Sequence, residues 1–244
     1  MAKKTDKKLY EMPETLTGHP FYNLDLDEYQ EKFRDAIWNP DKLIVFCNAK
    51  AGTGKTLIAT ATANLLCEHG AYEGIVYVAA PTQEQKQGYL KGSIEEKSEP
   101  YFEPFYQALK KIGVNMNTVF FDREINEKFQ TAYIECLTHT FLRGTNFENK
   151  VVIIDEAQNF YFDELKKVLT RVHDNCKVIV IGHDGQNDLL SNPERSGFVP
   201  YYQWFASDPR TAICSLEKNY RGWISQTADS MTGQDLMRIG RIRN

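Results

Sequence analysis

An α/β fold, with a mostly parallel sheet and helices on both of its faces, is what this sequence predicts, and three observations carry the prediction. Short apolar runs recur at residues 43–47, 75–80 and 151–154, and 176–182 is a fourth, broken only by Lys177. Runs of that length without polar alternation are strands buried on both faces, the situation of a parallel sheet. Stretches of helical length and pattern lie between them, so strand and helix alternate. Finally, a glycine-rich turn joins the first apolar run directly to a helix. A chain of 244 residues holds one such domain with a full core and is too short for two with linkers.

The first run leads into Asn48-Ala49-Lys50-Ala51-Gly52-Thr53-Gly54-Lys55-Thr56. Strand, glycine-rich turn and helix start are the layout of a P-loop, whose successive backbone N–H groups point at one phosphate. The helix N-terminus adds partial positive charge, Lys55 reaches the β- and γ-phosphates, and the Thr56 hydroxyl can ligate magnesium. ATP and Mg2+ are the expected cofactors, with Ala49, Lys50, Ala51, Gly52, Thr53, Gly54, Lys55 and Thr56 forming the nucleotide-binding set. The strict pattern has Gly where this chain has Ala49, and Ala in a turn that prefers Gly costs about 1 kcal/mol. Residues 56–68 form the helix behind the loop, ended by Gly70, and 75–80 the next strand. Residues 84–90 and 101–112 read as helices, the second closed by Gly113.

Next comes the run 151–154, with two carboxylates, Asp155 and Glu156, at its end. Neighbours on a strand face opposite ways, but the chain leaves the strand here, so both can face one crevice. Asp155 is the expected magnesium ligand, usually through water, and Glu156 the group that accepts or polarises the proton of an attacking water. Residues 160–173 carry apolar side chains at Phe162, Leu165, Val168, Leu169 and Val172, a helical stripe that reads as core. The strand at 176–182 then runs into His183-Asp184-Gly185-Gln186. An amide at that tip can donate to phosphate while its carbonyl orients water, which suits Gln186 to sensing the γ-phosphate; Asp-Gly and Asn-Asp pairs also simply make turns. From residue 189 onward the pattern weakens. The cluster Tyr201, Tyr202, Trp204 and Phe205 reads as core or interface, with base stacking as the alternative.

With these anchors placed, the chain resembles the PhoH family of ATPases, which are related to superfamily 1 helicases. Asp155-Glu156-Ala157-Gln158-Asn159 matches the family's DEAQN motif, and residues 51–56 match its P-loop. Residues 88–97 look like its G-[FY]-L-P-G-x-x-x-E-K stretch, with Lys91 in place of Pro. Gly182, Gln186 and Asp188 fit G-D-x-x-Q-x-D, with His183 where Asp is usual. Arg143-Gly144 keeps part of a further motif, and Pro81-Thr82 resembles a helicase motif that touches nucleic acid. The match runs from about Tyr29 to about Ser230.

That resemblance implies a RecA-like P-loop NTPase in which a basic segment, 1–20, precedes a single ATPase domain, 21–244. It implies Mg2+-dependent ATP hydrolysis coupled to single-stranded RNA or DNA, with an ATP-binding switch of slow turnover as the alternative. Gln30 lies where related helicases read the adenine edge, or is an ordinary exposed helix residue. Those helicases close ATP between two RecA-like domains, the second supplying an Arg to the transferring phosphoryl group. A chain with one domain takes that Arg from a neighbouring copy, which implies a ring-like homo-oligomer, a hexamer. Arg143 and Arg221 are the candidates, each with an alternative as a surface or salt-bridging residue. A kinase fits less well, because a base held for water is what hydrolysis needs.

Composition sets further bounds. A net charge of −4 argues against a protein that is basic overall, so any nucleic-acid contact is local. The basic runs at 2–8 and 238–243 read as solvated tails, although the second alternates Arg with Ile and suits an ordered contact. Five Cys without C-x-x-C spacing read as reduced thiols, and five scattered His suggest no zinc site. With no signal segment and no long apolar run, a cytoplasmic protein without a membrane span is expected.

Overall fold

The computed structural model describes residues 12–81, 98–121, 132–142, 144–185, 189, 195–231 and 235. Six strands form one sheet: β1 (Ile44–Ala49), β2 (Gly74–Ala79), β3 (Ile134–Thr138), β4 (Lys150–Ile154), β5 (Lys177–Gly182) and β6 (Thr211–Leu216). Their spatial order is β3-β2-β4-β5-β1-β6, and every adjacent pair is parallel. The helices of the described residues are α1 (Glu28–Trp38), α2 (Lys55–Glu68), α3 (Glu103–Lys111), α4 (Met116–Val119), α5 (Phe162–Leu169), α6 (Phe198–Phe205) and α7 (Trp223–Asp229).

Strand alternation divides the core in two. Val45, Cys47, Ile75, Tyr77, Ile153, Ile179 and Ile181 face one side, where they meet Phe33 and Ile37 of α1, Ile58 and Leu66 of α2, and Phe105 and Leu109 of α3. Ile44, Phe46, Val76, Val78, Val152, Ile154, Val178 and Val180 face the other, against Leu165 and Val168 of α5 and Phe198 of α6. Helices therefore cover both faces, as a parallel sheet of such apolar strands requires. α2 lies innermost: Ala59, Thr60, Ala61, Thr62, Ala63 and Asn64 are all buried. Its small side chains let the sheet, α1 and α3 approach it closely.

Several elements depart from the sequence reading. The helix expected at 160–173 is shorter. Tyr161 caps it, with Glu164 accepting from the Tyr161 N–H at 2.9 Å, so Phe160 is the fully buried aromatic and Phe162 is 42 % exposed. It ends at Leu169 because the chain then pairs with Phe147, which donates to the Arg171 carbonyl and accepts from the His173 N–H. The helix expected at 101–112 opens as a 3-10 turn over Glu99–Phe102 and becomes α-helical at Glu103. The aromatic cluster divides. Tyr202 and Phe205 pack on Phe46, Tyr201 stacks on Phe162, and Trp204 stands 81 % exposed. The helix expected at 84–90 lies outside the described residues.

Tyr77 and Phe105 stack at 4.4 Å with an interplanar angle of 14°, both fully buried between β2 and α3. Phe105→Ala should cost about 3–5 kcal/mol through lost contacts and the cavity left behind, read from urea unfolding. A loss near zero would mean that this side of the core closes up freely.

Candidate active site

Backbone conformation shapes the loop between β1 and α2. Gly52 (φ 81°) and Gly54 (φ 88°) both adopt the left-handed conformation that strains a residue with a Cβ. Thr53 is buried, and its hydroxyl donates to the Lys50 carbonyl at 2.9 Å, closing the turn. Gly54 caps α2 without a side-chain hydrogen bond, and the helix has no acidic residue in its first turn. Its first N–H groups are thus left for an anion, with the helix dipole behind them. Ala49 is not a turn residue. It is the last residue of β1, buried, paired with Leu216, and its φ is not positive. The strain expected for an Ala there is absent because the strand runs further than its apolar run.

Two segments remote in sequence brace the loop. Gln30, which the capping box of α1 ties to Asp27, donates through Nε2 to the Thr53 carbonyl at 2.9 Å. Its Oε1 accepts from the Asp27 N–H at 3.2 Å and the Tyr220 hydroxyl at 3.4 Å. Gln30 is therefore buried against the P-loop and is not an exposed helix residue. From the other side, the Tyr220 N–H donates to the Gly52 carbonyl at 2.8 Å. A Cβ on Gly52 would stand 2.7 Å from Asn219 Oδ1 and 3.0 Å from the stem of Arg221. Arg221 thus lies beside the P-loop of its own chain. Lys50 reaches α7, its Nζ 2.7 Å from Asp229 Oδ2, an exposed pair of small energetic weight.

The carboxylate pair comes to the same place from β4. Asp155 is fully buried and accepts three hydrogen bonds: from the Thr56 hydroxyl (2.8 Å), the Tyr77 hydroxyl (2.8 Å) and the Glu156 N–H (2.7 Å). Glu156 takes the left-handed conformation (φ 48°, ψ 45°), uncommon for a residue with a side chain. This turn brings both carboxylates to the loop, where Glu156 Oε1 lies 3.3 Å from Lys55 Nζ. Burial first, and the charge of Glu156 second, push the Asp155 carboxyl up to about 6, despite Lys55 and the two hydroxyls that favour its ionised form. A hydroxyl and a carboxylate converging at 2.8 Å, both hard oxygen donors, fit a magnesium ion.

Tyr77, Gln158, Asn219 and Tyr220 were not singled out as site residues by sequence reasoning. Only Gln158 carried a signal, its place in the Asp155-Glu156-Ala157-Gln158-Asn159 stretch. Gln186, Arg143, Thr82 and the 88–97 stretch lie outside the described residues. Asp184, two residues before Gln186, donates its N–H to Asn48 Oδ1 at 3.2 Å, which sets the end of β5 beside the end of β1.

A parallel sheet whose inner strand feeds a glycine-rich loop and a helix, with a carboxylate pair two strands away, defines a RecA-like P-loop NTPase fold. The family model described as PhoH-like protein matches residues 25–227, and the chain belongs to the PhoH family. It is 36 % identical over 150 residues to protein PhoH of Escherichia coli K12, covering 61 % of this chain and 41 % of that protein. A PhoH-like protein of Synechocystis is 34 % identical over 191 residues, 78 % of this chain and 55 % of the relative. The chain therefore spans about half the length of the curated relatives it matches. Among solved structures, the large terminase of the thermophilic bacteriophage D6E, in complex with ADP, shares the fold with a TM-score of 0.52 at 16 % identity, covering 89 % of this chain and 50 % of the terminase.

Two expectations follow. Because Ala49 lies in a strand, Ala49→Gly should destabilise the protein by about 0.5–1 kcal/mol in urea unfolding, although it restores the family pattern; stabilisation would return the position to the turn. Asp155 gives the second. Its folded value of about 6 exceeds the ordinary 3.8, so the fold binds the extra proton. The resulting penalty is fully present above pH about 6, is relieved as pH falls, and is gone below the unfolded value. Between pH 7.5 and 5 the nucleotide-free protein should gain about 1 kcal/mol relative to Asp155→Asn. Parallel curves for the two proteins would remove Asp155 as the cause.

Proposed function

We propose that this protein is a Mg2+-dependent ATPase of the PhoH type whose hydrolysis is coupled to binding or movement along single-stranded RNA or DNA. The observation that carries the reading is the convergence of Lys55 on Glu156 at 3.3 Å and of Thr56 on Asp155 at 2.8 Å, beside uncapped N–H groups at the start of α2. The loop N–H groups bind the phosphates, and Lys55 turns from Glu156 to the γ-phosphate. The Thr56 hydroxyl and Asp155 would hold Mg2+, which would supply positive charge to offset that of the triphosphate. Glu156 takes the proton of a water whose oxygen bonds to the γ-phosphorus as the bridging P–O bond to the β-phosphate breaks, giving ADP and inorganic phosphate. Gln186 is assigned to the γ-phosphate. That the terminase, which shares the fold, was solved with ADP supports a nucleotide ligand for this one.

The nucleic-acid partner rests on the family resemblance, as does the ring-like homo-hexamer. An Arg supplied across a subunit boundary is worth a factor of roughly 10³ to 10⁵ in rate. Since Arg221 packs on its own P-loop, it suits a role within the chain, and Arg143 is the one assigned to the neighbouring copy. The location proposed is the cytoplasm, where five cysteines outside any disulfide stay reduced; among the described residues no helix is long and apolar enough to cross a membrane. One observation favours the alternative of an ATP-binding switch. His183 stands where the family pattern has Asp, at the end of β5 beside the end of β1, a departure at the nucleotide site that suits slow turnover.

Lys55→Ala should abolish hydrolysis and weaken ATP binding, whereas Glu156→Gln should keep ATP affinity within about threefold and lose turnover by at least about 100-fold. Equal loss of ATP affinity in the two variants would overturn this division of roles. Steady-state hydrolysis by the unmodified protein, with and without single-stranded RNA or DNA, separates the coupled enzyme from the switch. Stimulation by the nucleic acid is the outcome expected.

A further inference from the structure

We propose that Gln158 is the positioning residue of Glu156, holding its carboxylate in place once nucleotide has drawn Lys55 away and tying it to the end of β5. The proposal rests on the ATPase reading above and assigns to Gln158 a role within it.

Among the described residues Glu156 has two side-chain partners, Lys55 Nζ at 3.3 Å from Oε1 and Gln158 Nε2 at 2.5 Å from Oε2. The first is temporary. A triphosphate offers Lys55 several closely spaced charges, and one ammonium cannot remain centred on both. The Glu156 side chain is 45 % exposed, so without a second partner it would swing among its rotamers in water. A base that activates water must instead be held in one place, since a misplacement of about 1 Å costs on the order of 100-fold in rate.

Gln158 is built for that task. The left-handed turn at Glu156 and the 3-10 turn Ala157–Asn159 fold the Gln158 side chain back toward the carboxylate, and Gln158 is only 3 % exposed. Its amide is used at both ends: Nε2 donates to Glu156, and Oε1 accepts the His183 N–H at 2.9 Å. A Cβ on Gly182 would stand 2.8 Å from that Oε1 and 3.2 Å from the Phe198 ring, so a glycine at the end of β5 is what admits the amide. Only a side chain with a donor and an acceptor on one planar group spans the gap. Glutamate lacks the donor, and methionine lacks both. The contact also connects Glu156 to the strand end from which the chain runs on to Gln186.

The test is a double-mutant cycle on the full chain, reading ATP hydrolysis and ADP affinity. Gln158→Met keeps the volume and removes both hydrogen bonds. It should lower kcat by about 10- to 100-fold while KM for ATP and Kd for ADP stay within about threefold. In a Glu156→Gln background the same substitution should cost nothing further, because Gln158 acts through the carboxylate already removed. Gln158→Glu keeps an acceptor for His183 but sets a second carboxylate against the first; it should show the same loss of kcat, and it stands in if the Met variant does not fold. Retention of kcat in both single variants, or losses that multiply in the double variant, would overturn the proposal and leave the ATPase reading standing. No hydrolysis of any nucleoside triphosphate by the unmodified chain would sink that reading, and this proposal with it.

Discussion

A buried carboxylate governs the C-terminal edge of the sheet. Asp155 has no contact with solvent to speak of, yet three donors meet on it from three elements: Thr56 from the first turn of α2, Tyr77 from β2, and the backbone of its own turn. Tyr77 in turn stacks on Phe105, so the position of Asp155 is fixed through β2 as far as α3. A carboxylate so placed is poorly solvated as an anion and is held as one only by donors and nearby cations. The surroundings of the P-loop follow from this. Thr56 must face Asp155, Lys55 must face Glu156, and α2 is locked at the depth that allows both. Holding a buried carboxylate ready in this way is costly, and a cation placed between the two oxygens would offset that cost.

The fold was legible in the sequence wherever strands are covered on both faces. β1, β2, β4 and β5 lie inside the sheet, and each contains an unbroken apolar run of four or more residues. β3 and β6 are the edges, and only their end residues are buried, Ile134 and Thr138 in the one and Thr211 and Leu216 in the other, while Glu135 and Ser215 break the apolar runs. An edge strand has one strand partner and partial cover, so its sequence is less constrained to be apolar. The end of α5 was misjudged for a different reason: periodicity at Leu169 and Val172 continues past the point where Phe147 captures the backbone. Local pattern does not record a hydrogen bond to a segment remote in sequence.

The site divides the same way. The loop, Lys55, Thr56, Asp155 and Glu156 are contiguous in two short stretches, so residue type and spacing expose them. The bracing groups are assembled by the tertiary fold. Gln30 and Tyr220 meet across 190 residues of sequence, and Tyr77 becomes part of the site only because β2 lies beside β4. Ala49 illustrates the opposite error: a motif position suggested strain that the backbone, extended as the last step of β1, does not have.

The hydrogen bonds from Tyr220 to Gly52 and from Gln30 to Thr53 carry a consequence for how the molecule is made. During synthesis β1 and α2 leave the ribosome well before residues 219–221 exist, so the loop between them begins life with one of its two braces missing. Closing a contact of such long sequence separation is slow and comes only after the intervening sheet has condensed. The loop is therefore among the last features to settle, once β6 has docked and the segment after it has reached Gly52. The loop that marks this protein most clearly in sequence is in this sense a checkpoint for the completeness of the whole sheet.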